Sequence, residues 1–322
     1  MIDNYLKLID NYIGLHPFTK RPERLYEPLD YILSLGGKRI RPVLTLMACE
    51  MMNGPVEKAL PAAYAIEIFH NFSLIHDDIM DCAPLRRGKE TVHTKYDINT
   101  GILSGDAMLI YAYQYLGKYE DTLVPRMMRN FTETSILVCE GQQLDMDFEQ
   151  RSDVDIPEYM EMITNKTAVL LAEALRMGAL VAGASDHALQ HFYDFGRNVG
   201  IAFQMQDDIL DTYGENHKVG KQKGGDIIQG KKTYLYLKAL ELSTVDQRKD
   251  LETLYEDQEM DKQEKVAKVM EIFDELHVRL YADQVKEAYR DLAYSHLDSI
   301  DTGGNDTTIL RQLAQYLLDR DK

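Results

Sequence analysis

The sequence predicts an all-α protein. Apolar residues recur at three- and four-residue spacing through most of the chain, strand-type alternation is scarce, and the breaks are short turn-forming clusters. Helices are expected over Leu60–Met80, Ile102–Tyr119, Phe131–Leu144, Thr167–Ala182 and Phe192–Leu210. Asn53-Gly54-Pro55, Ala83-Pro84, Ile156-Pro157, Gly183 and Gly224-Gly225 punctuate them. From about Leu240 the pattern turns more charged and predicts amphipathic helices on an outer layer. A helical bundle follows, with its site among facing helices.

Length alone, at 322 residues, suggests about two domains. No linker, low-complexity tract or fixed-period repeat marks a join, so a single domain over 1–322 is expected. The net charge of -17 argues against nucleic acid as a partner, because phosphate backbones select basic surfaces. Charge interrupts every apolar stretch before about 18 residues, so no membrane span is expected. The start, Met1-Ile2-Asp3-Asn4, lacks a signal-peptide pattern. Cys49, Cys82 and Cys139 lie far apart with no CxxC pair, which fits a reducing cytoplasm.

Two expected helices are apolar on nearly every face, and such helices are usually buried. One runs over Ala62–Ile79 and the other over Val199–Leu210, yet each ends in three carboxylates. Asp77 and Asp81 are four apart, on one helix face with about 6 Å of rise between them, and Asp78 lies alongside. Asp207, Asp208 and Asp211 repeat the arrangement. Like charges at this spacing repel, and burying them without a counter-ion is costly. Magnesium suits such a pattern, because it takes one or two carboxylates with phosphate oxygens and water. The two motifs therefore read as two halves of one magnesium–diphosphate site. His76 adjoins Asp77, but no paired histidine spacing supports zinc, and it is expected to pack or hydrogen-bond.

Basic groups cluster in the same order along the chain. Gly36-Gly37-Lys38-Arg39-Ile40-Arg41-Pro42 sets three cations behind a glycine pair that can approach a ligand closely. Arg86-Arg87-Gly88 follows the first acidic motif; Lys221 and Lys231-Lys232-Thr233 follow the second. Lys166-Thr167 is expected to open an apolar helix, where backbone N–H groups favour anions. Arginine grips phosphate bidentately and lysine acts as a mobile point charge. More cations gather here than one metal-bound diphosphate needs, so two diphosphate substrates are implied.

LGGKRIRP (35–42), SLIHDDIMD (73–81), PLRRG (84–88), NKTAVL (165–170), FQMQDDILD (203–211), VGKQKGGD (219–226) and GKKT (230–233) together resemble the trans-polyprenyl diphosphate synthases. The resemblance implies the isoprenoid-synthase type of helical bundle, with a central active-site cavity, and a homodimer. It implies that Asp77, Asp78, Asp81, Asp207, Asp208 and Asp211 hold magnesium ions, about three per site, on an allylic diphosphate. Arg86, Lys166, Lys221 and Lys231 would contact that diphosphate. Lys38, Arg41, His70 and Arg87 would hold isopentenyl diphosphate. Thr167 and Gln204 would flank the allylic carbon and its developing cation. A terpene cyclase, a non-catalytic synthase subunit and a head-to-head synthase are the rivals. The first and third have no use for the GGKRIRP pocket, and the second typically loses aspartates or arginines that are present here.

A growing prenyl tail would run along the helix edge that carries Asp81, Asp77, Ser73 and Phe69. Phe72 lies about 7 Å of rise below Asp77 and Phe69 about 12 Å, so either could floor the chain. Within the family an aromatic at the Phe72 position marks short products. With Ser73 small beside it, the resemblance points to geranylgeranyl (C20) diphosphate, with farnesyl (C15) next and longer chains less favoured.

Overall fold

In this computed structural model residues 2–214, 224–257 and 259–319 are described, and they are helical almost throughout. The chain opens with α1 (Asp3–Leu15), α2 (Glu23–Ser34), α3 (Ile40–Met51) and α4 (Val56–Met80). A small hairpin follows, in which β1 (Leu85–Arg86) pairs antiparallel with β2 (Lys89–Glu90). Next come α5 (Val92–Lys95), α6 (Ile98–Leu116), α7 (Val124–Gln150), α8 (Ile156–Ile163), a π-helical turn (Thr164–Ala168), α9 (Val169–Val181) and α10 (Asp186–Tyr213). The remainder is α11 (Gly225–Gln229), α12 (Tyr234–Leu242), α13 (Val245–Glu256), α14 (Lys262–Glu275), α15 (Val278–Asp298) and α16 (Thr308–Leu318).

Local chemistry explains several boundaries. Asp97 caps α6 by accepting the Thr100 N–H at 2.8 Å. Asp155 and Glu158 form a reciprocal capping box at the start of α8, with Pro157 in the first turn where its missing N–H costs nothing. All five expected helices are present, and Asn53-Gly54-Pro55, Ala83-Pro84 and Gly183 fall between elements. One expectation is corrected. Lys166-Thr167 does not open a helix, because the chain is already helical from Ile156 and passes through the π turn into α9 without a break. The N–H groups there are engaged within the helix, so the anion-binding argument from a free helix terminus does not apply.

The chain forms two compact units. The first comprises Met1–Ser135, Leu170–Tyr193 and Ser299–Leu310; the second comprises Ile136–Val169, Asp194–Asp298 and Arg311–Lys322. Helices α7, α9, α10 and α16 each contribute to both. In the first unit α4 is buried over most of its length, with Ala62, Tyr64, Ile66, Ile68 and Phe69 fully enclosed, as its all-round apolar character predicts. In the second, Ile201, Met205 and Ile209 of α10 join a core with Ile163, Leu235, Leu251, Val269 and Phe273. Among the described residues no helix is long and apolar enough to cross a membrane.

Candidate active site

In the first unit α4 ends on the first aspartate motif. Asp78 is buried, Asp77 is partly exposed and Asp81 is exposed, as a helix face turning from core to solvent requires. Arg86, on β1, donates to both carboxylate oxygens of Asp78, Nε at 2.8 Å and Nη2 at 2.7 Å. The fork of a guanidinium matches a carboxylate in this way, and lysine could not reproduce it.

A second basic cluster forms beside it in sequence order and at long range. Gly36 and Gly37 have φ of 72° and 131°, which only glycine adopts without strain. The Arg87 guanidinium lies across Gly37, where a Cβ would stand 2.7 Å from it, and donates to the Gly36 carbonyl oxygen. Arg41 donates to Nε2 of His70 at 3.3 Å. Burial, then the charges of Arg41, Arg87, Arg86 and Arg39, hold the His70 pKa well below its ordinary range. His70 is thus neutral, with Nε2 the acceptor and the proton on Nδ1. Lys38 is exposed.

Arg39 carries no expected ligand contact, yet it organises this loop. It is buried in a left-handed conformation (φ 48°) and pairs with Glu67 of α4, while Nη2 donates to the Leu33 carbonyl at 2.5 Å. Asn71 also donates to Glu67, at 2.9 Å. The glycine turn is thereby fastened to α4 between the lysine and arginine expected to bind ligand.

The expected chain-length residues also belong to the first unit. Phe69 is fully buried, with its ring 5.4 Å from Phe72 and 5.1 Å from Phe131. Phe72 is 8% exposed, and Ser73 Oγ donates back to the His70 carbonyl at 2.8 Å. His76 packs and hydrogen-bonds, its ring 4.9 Å from Phe72 and Nε2 3.1 Å from the Ile102 carbonyl oxygen.

In the second unit a cleft gathers Lys166, Thr167, Gln204, Asp208 and Lys231, together with Asp145. Thr167 Oγ1 donates to Gln204 Oε1 at 3.2 Å, and Gln204 Nε2 donates to Asp208 Oδ1 at 3.0 Å. Tyr159 Oη donates to the other oxygen of Asp208. Burial, with Asp226 adding to it, pushes the Asp208 carboxyl up to about 8 against the pull of these two donors. Lys166 pairs with Asp145 at 2.5 Å. The π turn that carries Lys166 lies directly on Gly141 of α7, where any Cβ would overlap the Lys166 backbone. Asp211 accepts the Asp226 N–H at 2.8 Å and so secures the turn at Gly224-Gly225. Asp207 and Asp211 are partly exposed, whereas Asp208 is 5% exposed. Lys221 lies outside the described residues.

The polyprenyl synthetase family model matches residues 22–273. The chain belongs to the polyprenyl synthetase family. A geranylgeranyl diphosphate synthase of Methanosarcina mazei is 44% identical over 229 residues, 70% of each chain. A geranylfarnesyl diphosphate synthase of Natronomonas pharaonis is 36% identical, covering 94% of this chain and 92% of that one. A crystal structure of a geranylgeranyl pyrophosphate synthase superposes with a TM-score of 0.94 at 41% identity, over 100% of this chain and 99% of that one. The all-α class follows, and so does prenyltransferase activity.

As a polyprenyl synthetase the chain carries groups to which the sequence assigned no role of their own: Arg39, Glu67 and Asn71 in one unit, Tyr159, Asp145 and Asp226 in the other. Their partners lie up to 49 residues away, as for Tyr159 and Asp208, so no local spacing announces them. Among the described residues no three His, Cys, Asp or Glu side chains converge into a ready metal cage. Magnesium does not need one, since it retains water and takes phosphate oxygens.

Proposed function

We propose that the chain condenses isopentenyl diphosphate with an allylic diphosphate, head to tail (1′-4), to give geranylgeranyl diphosphate, with farnesyl diphosphate the next product in order. The observation that carries this reading is the cluster of Arg41, His70 and Arg87 beside Gly36-Gly37, whose cations are additional to the Arg86 that pairs with Asp78. One diphosphate does not need both. A cyclase, with a single diphosphate substrate, would have no use for the second.

Asp77, Asp78 and Asp81, and likewise Asp207, Asp208 and Asp211, would hold Mg²⁺, about three ions per site. The donors fit: they are all oxygens, and a neighbouring cation would favour the charged form that burial disfavours at Asp208. Bound magnesium supplies charge neutralisation of the departing diphosphate. Arg86, Lys166, Lys221 and Lys231 would add to that neutralisation with their own positive charge, the role the family resemblance implies for them. The Thr167 hydroxyl and the Gln204 amide turn oxygen dipoles toward the carbon that becomes positive. Apolar walls exclude water from that cation. Lys38, Arg41, His70 and Arg87 hold isopentenyl diphosphate in line for attack by its double bond. The proton released afterwards goes to the departing diphosphate, whose oxygens lie closest to the carbon that loses it.

Phe72 serves as the floor for the growing chain and Phe69 as its support, with Ser73 leaving room above. Residues 1–322 act as one catalytic domain, since both compact units are assembled from separated stretches of the chain, and a cytoplasmic setting fits three cysteines with no CxxC pair. A homodimer is supported by Ile102, Leu103 and Ile110, apolar and exposed along α6. In multi-angle light scattering Ile110→Glu should then run as a monomer where the native chain runs as a dimer; a native monomer refutes the dimer.

Calorimetric titration with isopentenyl diphosphate tests the central reading. The native protein should bind it, and Arg41→Ala should weaken binding at least tenfold. No binding by the native protein, with an allylic diphosphate analogue and Mg²⁺ present, would favour a cyclase.

A further inference from the structure

We propose that His76, seated in a slot left open by Gly105, fixes the position of Phe72 and thereby the length of the prenyl chain. The inference rests on the reading of Phe72 as the floor and adds what holds that floor in place.

Phe72 is gripped from two sides. On one side its ring meets Phe69 at 5.4 Å, Phe69 meets Phe131 edge-on at 5.1 Å, and Phe131 meets Tyr113 edge-on at 5.1 Å. Phe69 and Phe131 are fully buried, so this wall has nowhere to retreat. On the other side stands one imidazole, four residues on along α4 and therefore on the same face. The His76 ring meets Phe72 edge-on, with centroids 4.9 Å apart and planes at 67°.

The imidazole is itself fixed by α6. Its Nε2 donates to the Ile102 carbonyl oxygen at 3.1 Å, and its ring occupies the space where a Cβ of residue 105 would be. Any side chain at Gly105 would overlap the ring. The brace therefore depends on an absent side chain, on a helix that carries none of the expected site residues. His76 is a positioning residue in this scheme, and its effect comes from the place of its ring rather than its charge.

The two ends of the brace make opposite predictions. His76→Ala empties the slot, so Phe72 can tilt into it and deepen the cavity. Gly105→Ala fills the slot, so the imidazole is driven toward Phe72 and the floor rises. The test is chromatography of dephosphorylated prenols made by the purified full chain from isopentenyl and dimethylallyl diphosphates with Mg²⁺. His76→Ala should lengthen the main product by at least one isoprene unit, and Gly105→Ala should shorten it. Phe72→Ala should lengthen it, with His76→Ala adding nothing on that background. Circular dichroism melting establishes that each variant is folded; if Gly105→Ala is not, His76→Ala decides alone. If Phe72→Ala lengthens the product and folded His76→Ala does not, the brace is wrong and the floor stands. An unchanged product from Phe72→Ala overturns the floor, and the brace with it.

Discussion

Arg86 closes two guanidinium donors onto Asp78, at 2.8 and 2.7 Å, and so occupies both oxygens of the buried aspartate in its motif. Asp208 stands in the same relation to its own motif, buried and held by Tyr159 and Gln204. In both motifs the second aspartate is the enclosed one, while the first and third stand at the more exposed edge. The second aspartate of each motif thus holds its neighbours in place besides the role in magnesium binding proposed for it, and the outer two are the more open to a ligand.

For Asp78→Asn the expected cost is about 10–100-fold in kcat/KM, the usual range for loss of a partner that orients a ligand-binding side chain, here Arg86. The KM for the allylic diphosphate should carry most of it, since Arg86 loses its charged anchor. Asp77→Asn should instead raise the Mg²⁺ concentration needed for half-maximal rate. Steady-state kinetics across a magnesium series separates the two, and identical magnesium shifts would contradict the division.

Tyr159→Phe removes one of the two donors to Asp208 without changing shape. Loss of this buried hydrogen bond should destabilise the fold by about 1–2 kcal/mol. Activity should fall by about tenfold or more through misplacement of the Gln204–Asp208 pair. Urea unfolding and a single-turnover assay on the same preparation would register both, and a neutral variant would remove Tyr159 from the site.

Glu67→Gln tests the anchor beneath the glycine turn. Leaving Arg39 buried without its charged partner should cost about 3 kcal/mol, since breaking a buried ion pair strands one charge. Lys38 and Arg41 would then be held less firmly, so KM for isopentenyl diphosphate should rise while KM for the allylic substrate stays near its native value. Equal rises in both would assign Glu67 to stability alone.

Glu173, fully buried in α9, gives the fold a pH dependence of its own. Burial pushes its carboxyl up to about 7, with Arg176 pulling the other way, against an ordinary value of 4.5. Between those two values the folded state binds more protons than the unfolded chain, so stability falls as pH rises through that window. The contribution lost is about 3 kcal/mol, at about 1.4 kcal/mol per pH unit of displacement. Thermal unfolding at pH 5 and pH 8 should show Glu173→Gln losing less stability than the native protein over this interval. The same loss in both would contradict the assignment.

The aspartate motifs were legible because hard-cation chemistry demands like charges at a spacing that only a bound cation makes tolerable. Helix α4 was legible because it is apolar on nearly every face and ends in those charges. The π turn at Thr164–Ala168 was not legible. Its backbone register goes with close packing on Gly141, a contact made by residues far apart in sequence. Nor could spacing reveal that Arg39, among three adjacent cations, is the buried one. That follows from Glu67 standing opposite it on α4, and carboxylates in apolar helices carry no label for their partners. The hairpin at Leu85–Glu90 has too few residues to show alternation, although it sets Arg86 and Arg87 in place.

The most direct measurement is product analysis with labelled isopentenyl diphosphate and dimethylallyl, geranyl or farnesyl diphosphate, with and without Mg²⁺. Magnesium-dependent incorporation of label into a linear all-trans prenol, chiefly C20, is the predicted result. Cyclic hydrocarbon, or allylic diphosphate consumed without incorporated label, would contradict the assignment to chain building.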